Sequence, residues 1–347
     1  MYKKGMGIDN IKISHVQGIA TDKNREYMYY SCTTFLAKTD MEGNIIGTVK
    51  GLAGHLGCIA YNYDDGKLYG SLEYKCDAVG AGILNRIKQT ENREVAISDA
   101  FYVAIFDVEK ITRPDMDAES DGVMKVVHLN EVLADYLTPG HRYGCSGIDG
   151  MTFAPIPGGV GDKKYLYVAY GIYADNNRCD NDHQIILRYD TENWDKYAEP
   201  LVQSNMPRKG PEFPDSKYFV YTGNTTYGIQ NLEYDEKTGY MFAAVYGGKK
   251  EKFPNFPMYV IDLNRKSEWS HLEGKESEGE KLQLAEVGEY DEKSGIWGIR
   301  FPYGSTGMIS LGDGHFYFSK DFTNTDGTRG AVVALYEFDG EKEFLER

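Results

Sequence analysis

The sequence predicts an all-β fold, a five-bladed β-propeller built from four-stranded antiparallel blades. Three observations support this: a turn leading into an apolar run, an aromatic strand, and a strand ending in an acid recur in that order five times. The closing acids are Asp40, Asp107, Asp190, Asp262 and Asp339, spaced 67 to 83 residues apart by subtraction of their positions. A β-rich unit of this size buries its faces by stacking on its neighbours, which indicates one closed domain.

The first phrase is predicted to form strand A, the innermost strand of each blade. Its copies begin at His15, His55, Gly147, Gly228 and Gly304 and read HVQGIATD, HLGCIAYN, GIDGMTFA, GIQNLEYD and GSTGMISL. Apolar and polar residues alternate only weakly here, as expected for strands that adjacent blades cover on both faces.

The remaining phrases supply the outer strands. Strand B is predicted at EYMYYSC, KLYGSLEY, KYLYVAY, GYMFAAV and HFYFSK, and strand C at FLAKTD, VAIFD, IILRYD, MYVID and LYEFD. Strand D is predicted at NIIGTV, MKVVHL, EPLVQ and LQLAEV. The predicted blades are 15–52, 53–140, 141–222, 223–300 and 301–347; either residues 1–14 or the C-terminal EKEFLER would close the ring, so that no strand edge stays exposed.

Composition excludes two classes of partner. The net charge is −15 and no stripe of Lys and Arg is present, so neither a phosphate backbone nor an anionic membrane surface is an expected partner. No stretch approaches the roughly 20 apolar residues of a membrane span. The N-terminal segment has no apolar signal-peptide core, and the five cysteines show no CxxC spacing. We therefore expect a reduced, cytoplasmic protein, or a secreted one if a signal peptide has been removed.

The connections between strands predict where function lies. The A–B connections, such as NYDDGK and YDEKTG, are short hairpin sequences, whereas the B–C and D–A connections are long. In a meander the B–C and D–A connections share one face, which we call the loop face. Because long loops carry function more often than tight hairpins, the axial funnel on the loop face is the predicted site.

Polar residues interrupt the small residues at the strand A entries and suggest a metal site. His15 and His55 occupy one aligned column, and Asp149 lies two residues into the third entry. Imidazole and carboxylate groups suit transition metals, and an oxygen-richer set suits calcium, so we predict a divalent metal (Ca, Mn or Zn) held by His15, His55 and Asp149. The alternative is that these groups form a hydrogen-bonded plug of the channel.

The loop face also predicts a small-molecule ligand. Flat rings stack on sugar faces and arginine binds carboxylates through two hydrogen bonds, so a sugar or sugar acid is the expected class. The predicted ligand-binding residues are Gln17, His141, Arg142, Tyr143, Tyr227, Gln230, Asn231, Arg300 and Tyr303.

Catalysis is a further hypothesis, centred on Asp149. Hydrolysis of a glycosidic bond needs two carboxyl groups, and Glu73, Glu212 or Glu233 would be the partner of Asp149. Metal-assisted hydrolysis or elimination is the chemistry considered. The alternative is that each of these acidic side chains is a solvent-exposed charge without a catalytic role.

The aligned phrases resemble β-propeller repeat proteins in general, over nearly the whole chain. The repeats lack the GH and WD signature of WD40 blades and the paired acids of lactonase-like calcium propellers. The resemblance therefore implies an architecture and carries over no catalytic residue. A non-catalytic scaffold for protein partners is the competing functional class.

Overall fold

The computed structural model describes residues 2–12, 14–223 and 226–347, without the side chain of residue 91. It is an all-β, five-bladed propeller, which confirms the fold class predicted from the sequence. None of the described helices is long and apolar enough to cross a membrane.

The strands follow the predicted order around the axis. The chain begins with β1 (Met6–Ile11) and enters blade 1, which consists of β2 (Gly18–Thr21), β3 (Tyr27–Cys32), β4 (Phe35–Asp40) and β5 (Ile45–Lys50). Blade 2 consists of β6 (His55–Asn62), β7 (Lys67–Tyr74), β8 (Ala100–Phe106) and β10 (Met124–His128), and β9 (Met116–Asp117) runs parallel to β5 at the edge of blade 1. Helix α1 (Ala78–Glu91) joins β7 to β8, and helix α2 (Asn130–Leu137) follows β10.

Blades 3 to 5 complete the ring. Blade 3 consists of β11 (Cys145–Ala154), β12 (Tyr165–Ile172), β13 (His183–Tyr189) and β14 (Ser216–Tyr221). Blade 4 consists of β15 (Thr226–Asp235), β16 (Tyr240–Tyr246) and β17 (Met258–Asp262), followed by β18 (Glu268–His271), β19 (Glu278–Lys281), β20 (Glu289–Asp291) and β21 (Ile296–Gly298). Blade 5 consists of β22 (Met308–Ser310), β23 (His315–Thr323), β24 (Arg329–Phe338) and β25 (Phe344–Glu346). Short 3-10 turns lie at Arg142–Gly144 and Trp194–Lys196.

One predicted outer strand is wrong. The outer strand of blade 3 is β14, not EPLVQ; within that segment, Glu199 instead bridges to Val126 on the edge strand of blade 2. In blade 4 the segment LQLAEV lies antiparallel to the outer edge of β17, as predicted, through an isolated bridge from Leu284 to Ile261 and two further backbone hydrogen bonds. The β18–β19 hairpin pairs with β14 of blade 3. Outer strands have one free edge, so their partners depend on which neighbouring blade comes within reach.

The small residues at the strand A entries follow from crowding at the axis. A Cβ atom on Gly18 would lie 2.9 Å from the Cα atom of Cys58 in the next blade. A Cβ atom on Gly150 would lie 2.8 Å from the Ile229 side chain. Inner strands of adjacent blades therefore approach so closely that side chains are excluded at these positions.

Both chain ends pair with the same strand of blade 5. Strand β1 pairs with the first half of β24, with Met6 opposite Val333, and β25 pairs with the second half, with Phe344 opposite Phe338. The N-terminal strand thus lies in the same blade as the C-terminal strands and closes the ring. This pairing covers the outer edge of β24, which would otherwise be free for association with another chain.

Replacing Ile8 by Ala should destabilise the closed ring. The side chain is 7% exposed, so the substitution should lower the free energy of unfolding by about 2 kcal/mol or more, as for other buried Ile-to-Ala changes. Urea denaturation followed by tryptophan fluorescence measures this. The matched control is Leu345→Ala in β25, where the side chain is 37% exposed and the loss should stay below about 1 kcal/mol. Equal losses would show that β1 does not hold the ring closed.

Candidate functional site

Three ionisable side chains from two blades converge where strand A of blades 2 and 3 begins. His55 starts β6, Glu73 lies directly opposite it on β7, and Asp149 lies on β11 of the next blade. The His55 Nδ1 atom is 3.8 Å from Glu73 Oε1 and 3.8 Å from Asp149 Oδ1. Potential ligand atoms of these three residues all lie within 4.8 Å of one another. We call this group the axial cluster.

Neighbouring groups fix the orientation of both carboxylates. Glu73 Oε2 accepts a hydrogen bond of 3.0 Å from the Ile148 backbone N–H, and Glu73 Oε1 receives Lys75 Nζ at 2.6 Å. The same ammonium donates to the Ser146 carbonyl at 2.9 Å. Each Glu73 oxygen therefore has a fixed role, with Oε1 turned toward His55.

Asp149 is held in a similar way from blade 4. Its Oδ2 atom accepts a hydrogen bond of 3.2 Å from Gln230 Nε2, which also donates to the Tyr227 carbonyl at 3.1 Å. The other oxygen, Oδ1, faces His55. Gln230 thus brings together two residues predicted from the sequence, Asp149 and Tyr227.

Burial dominates the electrostatics of the axial cluster. It raises the pKa of Asp149 well above its usual range, and the negative charge of Glu73 adds to this effect. Burial also lowers the pKa of His55 to about 3, assisted by the positive charges of Lys75 and His15. Burial opposes the charge on Lys75, but Glu73 outweighs it and holds the Lys75 pKa above its usual value. At neutral pH His55 is therefore a neutral imidazole, and Lys75 keeps its charge beside Glu73. Burial disfavours the charged form of both carboxyl groups, and Lys75 opposes this effect.

Gln17 and Asn231, both predicted ligand-binding residues, join blades at the axis. Asn231 Nδ2 donates to the Gln17 carbonyl at 2.8 Å and to the Ser305 carbonyl at 3.1 Å, and Gln17 Nε2 donates to Thr33 Oγ1 at 3.2 Å. These contacts match the hydrogen-bonded plug that was the alternative to a ligand site. They account for the amide nitrogen of each side chain, whereas Asn231 Oδ1 is buried and has no hydrogen-bond partner among the described residues.

The mouth of the funnel carries groups that the sequence analysis missed. The Tyr246 ring lies 6.4 Å from the Tyr227 ring, and burial raises the pKa of Tyr246 to about 12. The negative charges of Asp149 and Asp321 raise that pKa further and the positive charge of Arg329 lowers it. Asp321 and Arg329 belong to blade 5, so the charges that act on Tyr246 come from more than one blade.

His15 lies near this mouth and outside the axial cluster. It is half-buried, and burial lowers its pKa, with further contributions from the positive charges of Arg329 and of Arg86 on α1. The predicted metal set of His15, His55 and Asp149 therefore changes: in the structure Glu73 completes the group around His55. The cross-strand pairing of His55 with Glu73 was the signal that the column alignment overlooked.

His141, Arg142 and Tyr143 contact blade 3 and α2. His141 Nδ1 lies 2.6 Å from the Tyr136 carbonyl, and Arg142 Nη1 donates to Asp135 at 3.0 Å. Tyr143 has a φ of 59°, and two lysine side chains cover its ring. The observed contacts of these three predicted ligand-binding residues are with this outer part of the loop face and not with the axial cluster.

Arg300 and Tyr303 also find partners outside the axial cluster. Arg300 Nε donates to Glu289 at 2.9 Å on the surface of blade 4, and its guanidinium lies 4.8 Å from the Phe256 ring centroid. The Tyr303 ring lies 4.9 Å from Lys320 Nζ. The sequence placed both residues near Tyr227, and the structure gives them packing roles at blades 4 and 5.

A cavity of about 730 Å³ opens at the other end of the axis, on the face of the A–B hairpins. Glu233 lies in its wall, accepting hydrogen bonds from the Ser310 backbone N–H at 3.0 Å and from Thr152 Oγ1 at 3.3 Å. Burial raises the pKa of Glu233 to about 8. Cys58 lies between the two ends, because the charges of both Glu233 and Asp149 act on its thiol. Glu233 and Asp149 thus belong to different sites, and Glu212 is exposed on a loop.

The raised pKa of Glu233 predicts a pH-dependent loss of stability. Its folded-state pKa of about 8 lies above the ordinary value of 4.5, so the folded protein binds the proton more tightly than the unfolded chain. Stability contributed by this proton is complete below about pH 4.5 and falls as the pH rises toward 8. Glu233→Gln removes the effect; its amide oxygen can accept from the Ser310 N–H, and its amide N–H can donate to Thr152 Oγ1. The free energy of unfolding of the variant, relative to that of the wild type, should therefore rise by at least about 1.4 kcal/mol from pH 5 to pH 8.

Urea denaturation at both pH values measures the shift. The control, Glu26→Gln, removes an exposed carboxylate of the blade 1 hairpin. Its difference from wild type in the free energy of unfolding should be the same at the two pH values. An unchanged difference for Glu233→Gln would contradict the assignment of a proton to this site.

Comparison with known proteins gives an architecture and no family. No family model matches the chain, and no curated protein matches it. Similar solved structures include a GH43 β-1,3-galactosidase with galactodeoxynojirimycin (14% identity, TM-score 0.43, covering 96% of this chain and 94% of that one). A putative exo-β-1,3-galactanase from Bifidobacterium bifidum shares 12% identity at a TM-score of 0.42, covering 100% and 96%. The calcium structure of a Trichoderma reesei carbohydrate-active enzyme of family AA12 shares 9% sequence identity at a TM-score of 0.42, covering 91% of this chain and 80% of that one. At TM-scores below 0.5 these similarities carry no argument about chemistry.

Proposed function

We propose that this propeller binds a small polar ligand, of the sugar or sugar-acid class, in the funnel on the loop face. The observation that carries the proposal is the link between the exposed Tyr227 ring of blade 4 and the axial cluster of blades 2 and 3, because Gln230 donates to both the Tyr227 carbonyl and Asp149. The charge of Arg329 on blade 5 also acts on Tyr246, whose ring contacts Tyr227. An aromatic face, a cation and buried hydrogen-bonding groups are the three elements that recognise a sugar acid.

The backbone at Tyr227 supports a ligand-binding role. This residue has a φ of 60°, a left-handed conformation that costs a bulky side chain about 1 to 3 kcal/mol, and its side chain is nevertheless 46% exposed. Packing therefore does not explain the strain. The Gln230 amide holds the Tyr227 carbonyl in place and presents the ring beside Tyr246.

Cations at the mouth favour an acidic ligand over a neutral one. The positive charges of Arg329 and Arg86 both act on His15 and lower its pKa, after the larger effect of burial. An arginine can bind a ligand carboxylate through two parallel hydrogen bonds. We propose that Arg329 receives this carboxylate while the sugar ring stacks on Tyr227.

The cavity on the hairpin face is the second candidate location. Its volume of about 730 Å³ falls in the range of small-molecule sites, and Tyr61, Phe153 and Tyr234 line it together with Lys164. Among the described residues, its lining includes carboxylates and the exposed Tyr63 ring, but no aromatic residue with a left-handed backbone and no histidine. Substitution of side chains at each end of the axis distinguishes between the two candidate binding sites.

Sugar and sugar-acid pairs provide the test of the proposed function. Glucose with glucuronate, and galactose with galacturonate, differ only in oxidation at C6, and their affinities are measured by isothermal titration calorimetry. We expect the acid of at least one pair to bind more tightly. Arg329→Ala should weaken acid binding about 10- to 100-fold and leave the neutral sugar nearly unchanged, as for loss of a charged hydrogen bond. Tyr227→Ala should weaken both about 3- to 10-fold.

Arg300→Ala is the matched control, because Arg300 is paired with Glu289 outside the mouth and should leave every affinity unchanged. Loss of binding in Tyr61→Ala and not in Tyr227→Ala would move the site to the hairpin face. If neither the wild type nor any variant binds any of the four compounds, the proposal is wrong and an interaction scaffold is favoured.

A further inference from the structure

We propose that His55, Glu73 and Asp149 form a binding site for one divalent transition-metal ion, zinc or manganese. The first support is geometric. His55 Nδ1 lies 3.8 Å from a carboxylate oxygen on each side, which is too long for a hydrogen bond. An ion placed between atoms that far apart would lie about 2 Å or slightly more from each, the distance at which zinc binds nitrogen and oxygen ligands.

The second support is an unpartnered buried atom. Among the described residues, His55 Nδ1 is buried and has no hydrogen-bond partner. A buried polar atom without a partner costs about 1 to 3 kcal/mol, so native structures rarely keep one. A metal ion between the three residues would satisfy this nitrogen and both facing oxygens together.

The surroundings hold each ligand in its orientation. Glu73 Oε2 is fixed by the Ile148 N–H, and Asp149 Oδ2 is fixed by Gln230, so each carboxylate turns its other oxygen toward His55. A Cβ atom at Gly147 would lie 1.9 Å from Glu73 Oε2, which shows how closely the backbone encloses this carboxylate. Metal ligands in proteins are commonly supported by such outer contacts.

Charge balance allows the ion beside Lys75. The Lys75 ammonium contacts Glu73 Oε1 at 2.6 Å, and a carboxylate oxygen has lone pairs for both the ammonium and a metal. Metal ligands are deprotonated, so Asp149 binds the ion as a carboxylate. With Lys75 charged and both carboxylates ionised, the four side chains contribute one net negative charge to the occupied site. A divalent ion changes this to one net positive charge, which would attract the carboxylate of a sugar acid.

The ligand set selects the class of metal. One imidazole nitrogen with two carboxylate oxygens suits zinc and manganese, whereas calcium and magnesium prefer an all-oxygen set. This proposal replaces the His15, His55 and Asp149 set, and gives Asp149 a ligand role in place of the catalytic role predicted from the sequence. The metal proposal does not depend on sugar binding, because the metal titration is carried out without sugar.

Metal binding is tested on the full-length protein. Protein stripped with EDTA and exchanged into chelator-free buffer is titrated with ZnCl2, MnCl2 and CaCl2 by calorimetry, with elemental analysis after desalting. We expect one equivalent of zinc or manganese, a rise in melting temperature on addition, and calcium binding at least about 10-fold weaker. With cobalt(II), the site should give a visible absorption band that zinc abolishes.

Substitutions identify the ligands. His55→Ala and Asp149→Asn should each weaken zinc or manganese binding about 100-fold or more, beyond the effect of losing an outer contact. Because Glu73→Gln leaves Lys75 without its carboxylate, it is combined with Lys75→Met, and the double variant should lose the site as well. His15→Ala is the control and should bind within about 3-fold of wild type. Circular dichroism and melting curves verify that each variant is folded.

Two results would overturn the proposal. If the folded wild type binds neither zinc nor manganese in a one-to-one ratio, the three side chains do not form a metal site. Equal loss of binding in His15→Ala and His55→Ala would place the ion at the mouth instead. Either outcome leaves the sugar-binding test untouched, because that test uses metal-free protein and different variants.

Discussion

The approach of five inner strands to one axis is the constraint on which the rest of the structure depends. At Gly18 and Gly150 even a methyl group would collide with the neighbouring blade. Polar side chains that remain at this level must therefore find partners inside the protein, since water has little room. Asn231 illustrates this, because it bonds to backbone carbonyls of blades 1 and 5 at once. The axis is thus held by hydrogen bonds between blades as well as by apolar packing.

The axial cluster is costly in this setting. Removing Glu73 and Lys75 from water takes several kcal/mol per ion, and mutual attraction offsets this only with good geometry and further hydrogen bonds. The contacts to Ile148 and Ser146 supply those bonds. A buried ion pair adds little net stability, however, and burial of a second pair of ionisable groups, His55 and Asp149, increases the cost. Such groups gather at functional sites, where shifted pKa values are useful.

The two ends of the axis differ in chemical character. The loop face combines a strained, exposed aromatic ring with the axial cluster, while the hairpin face holds a cavity of about 730 Å³ lined by Glu233, whose pKa burial raises to about 8. Cys58 is buried in the packed axis, with its Sγ atom 3.4 Å from the Met151 carbonyl. The propeller thus offers two separate environments, and a side chain's position along strand A decides which of them it faces. Asp149 and Glu233 are on neighbouring inner strands and still serve opposite ends.

The sequence by itself determined the fold class, the inner strands and the column of residues at the axis. Strands A, B and C are covered on both faces, so their composition repeats from blade to blade and can be read as a pattern. It also placed His55, Asp149, Tyr227 and Gln230 correctly at strand entries, although the role of each stays a proposal. Only the tertiary structure decided that Glu73 faces His55, because cross-strand register is not encoded in the repeat. Likewise, Gln230 of blade 4 donates a hydrogen bond to Asp149 of blade 3, and residues that meet across blades have no fixed separation in sequence. The edge strands, β14 and β1 among them, were settled by which neighbour lay within reach, since a strand with one free edge is not specified by its own residues.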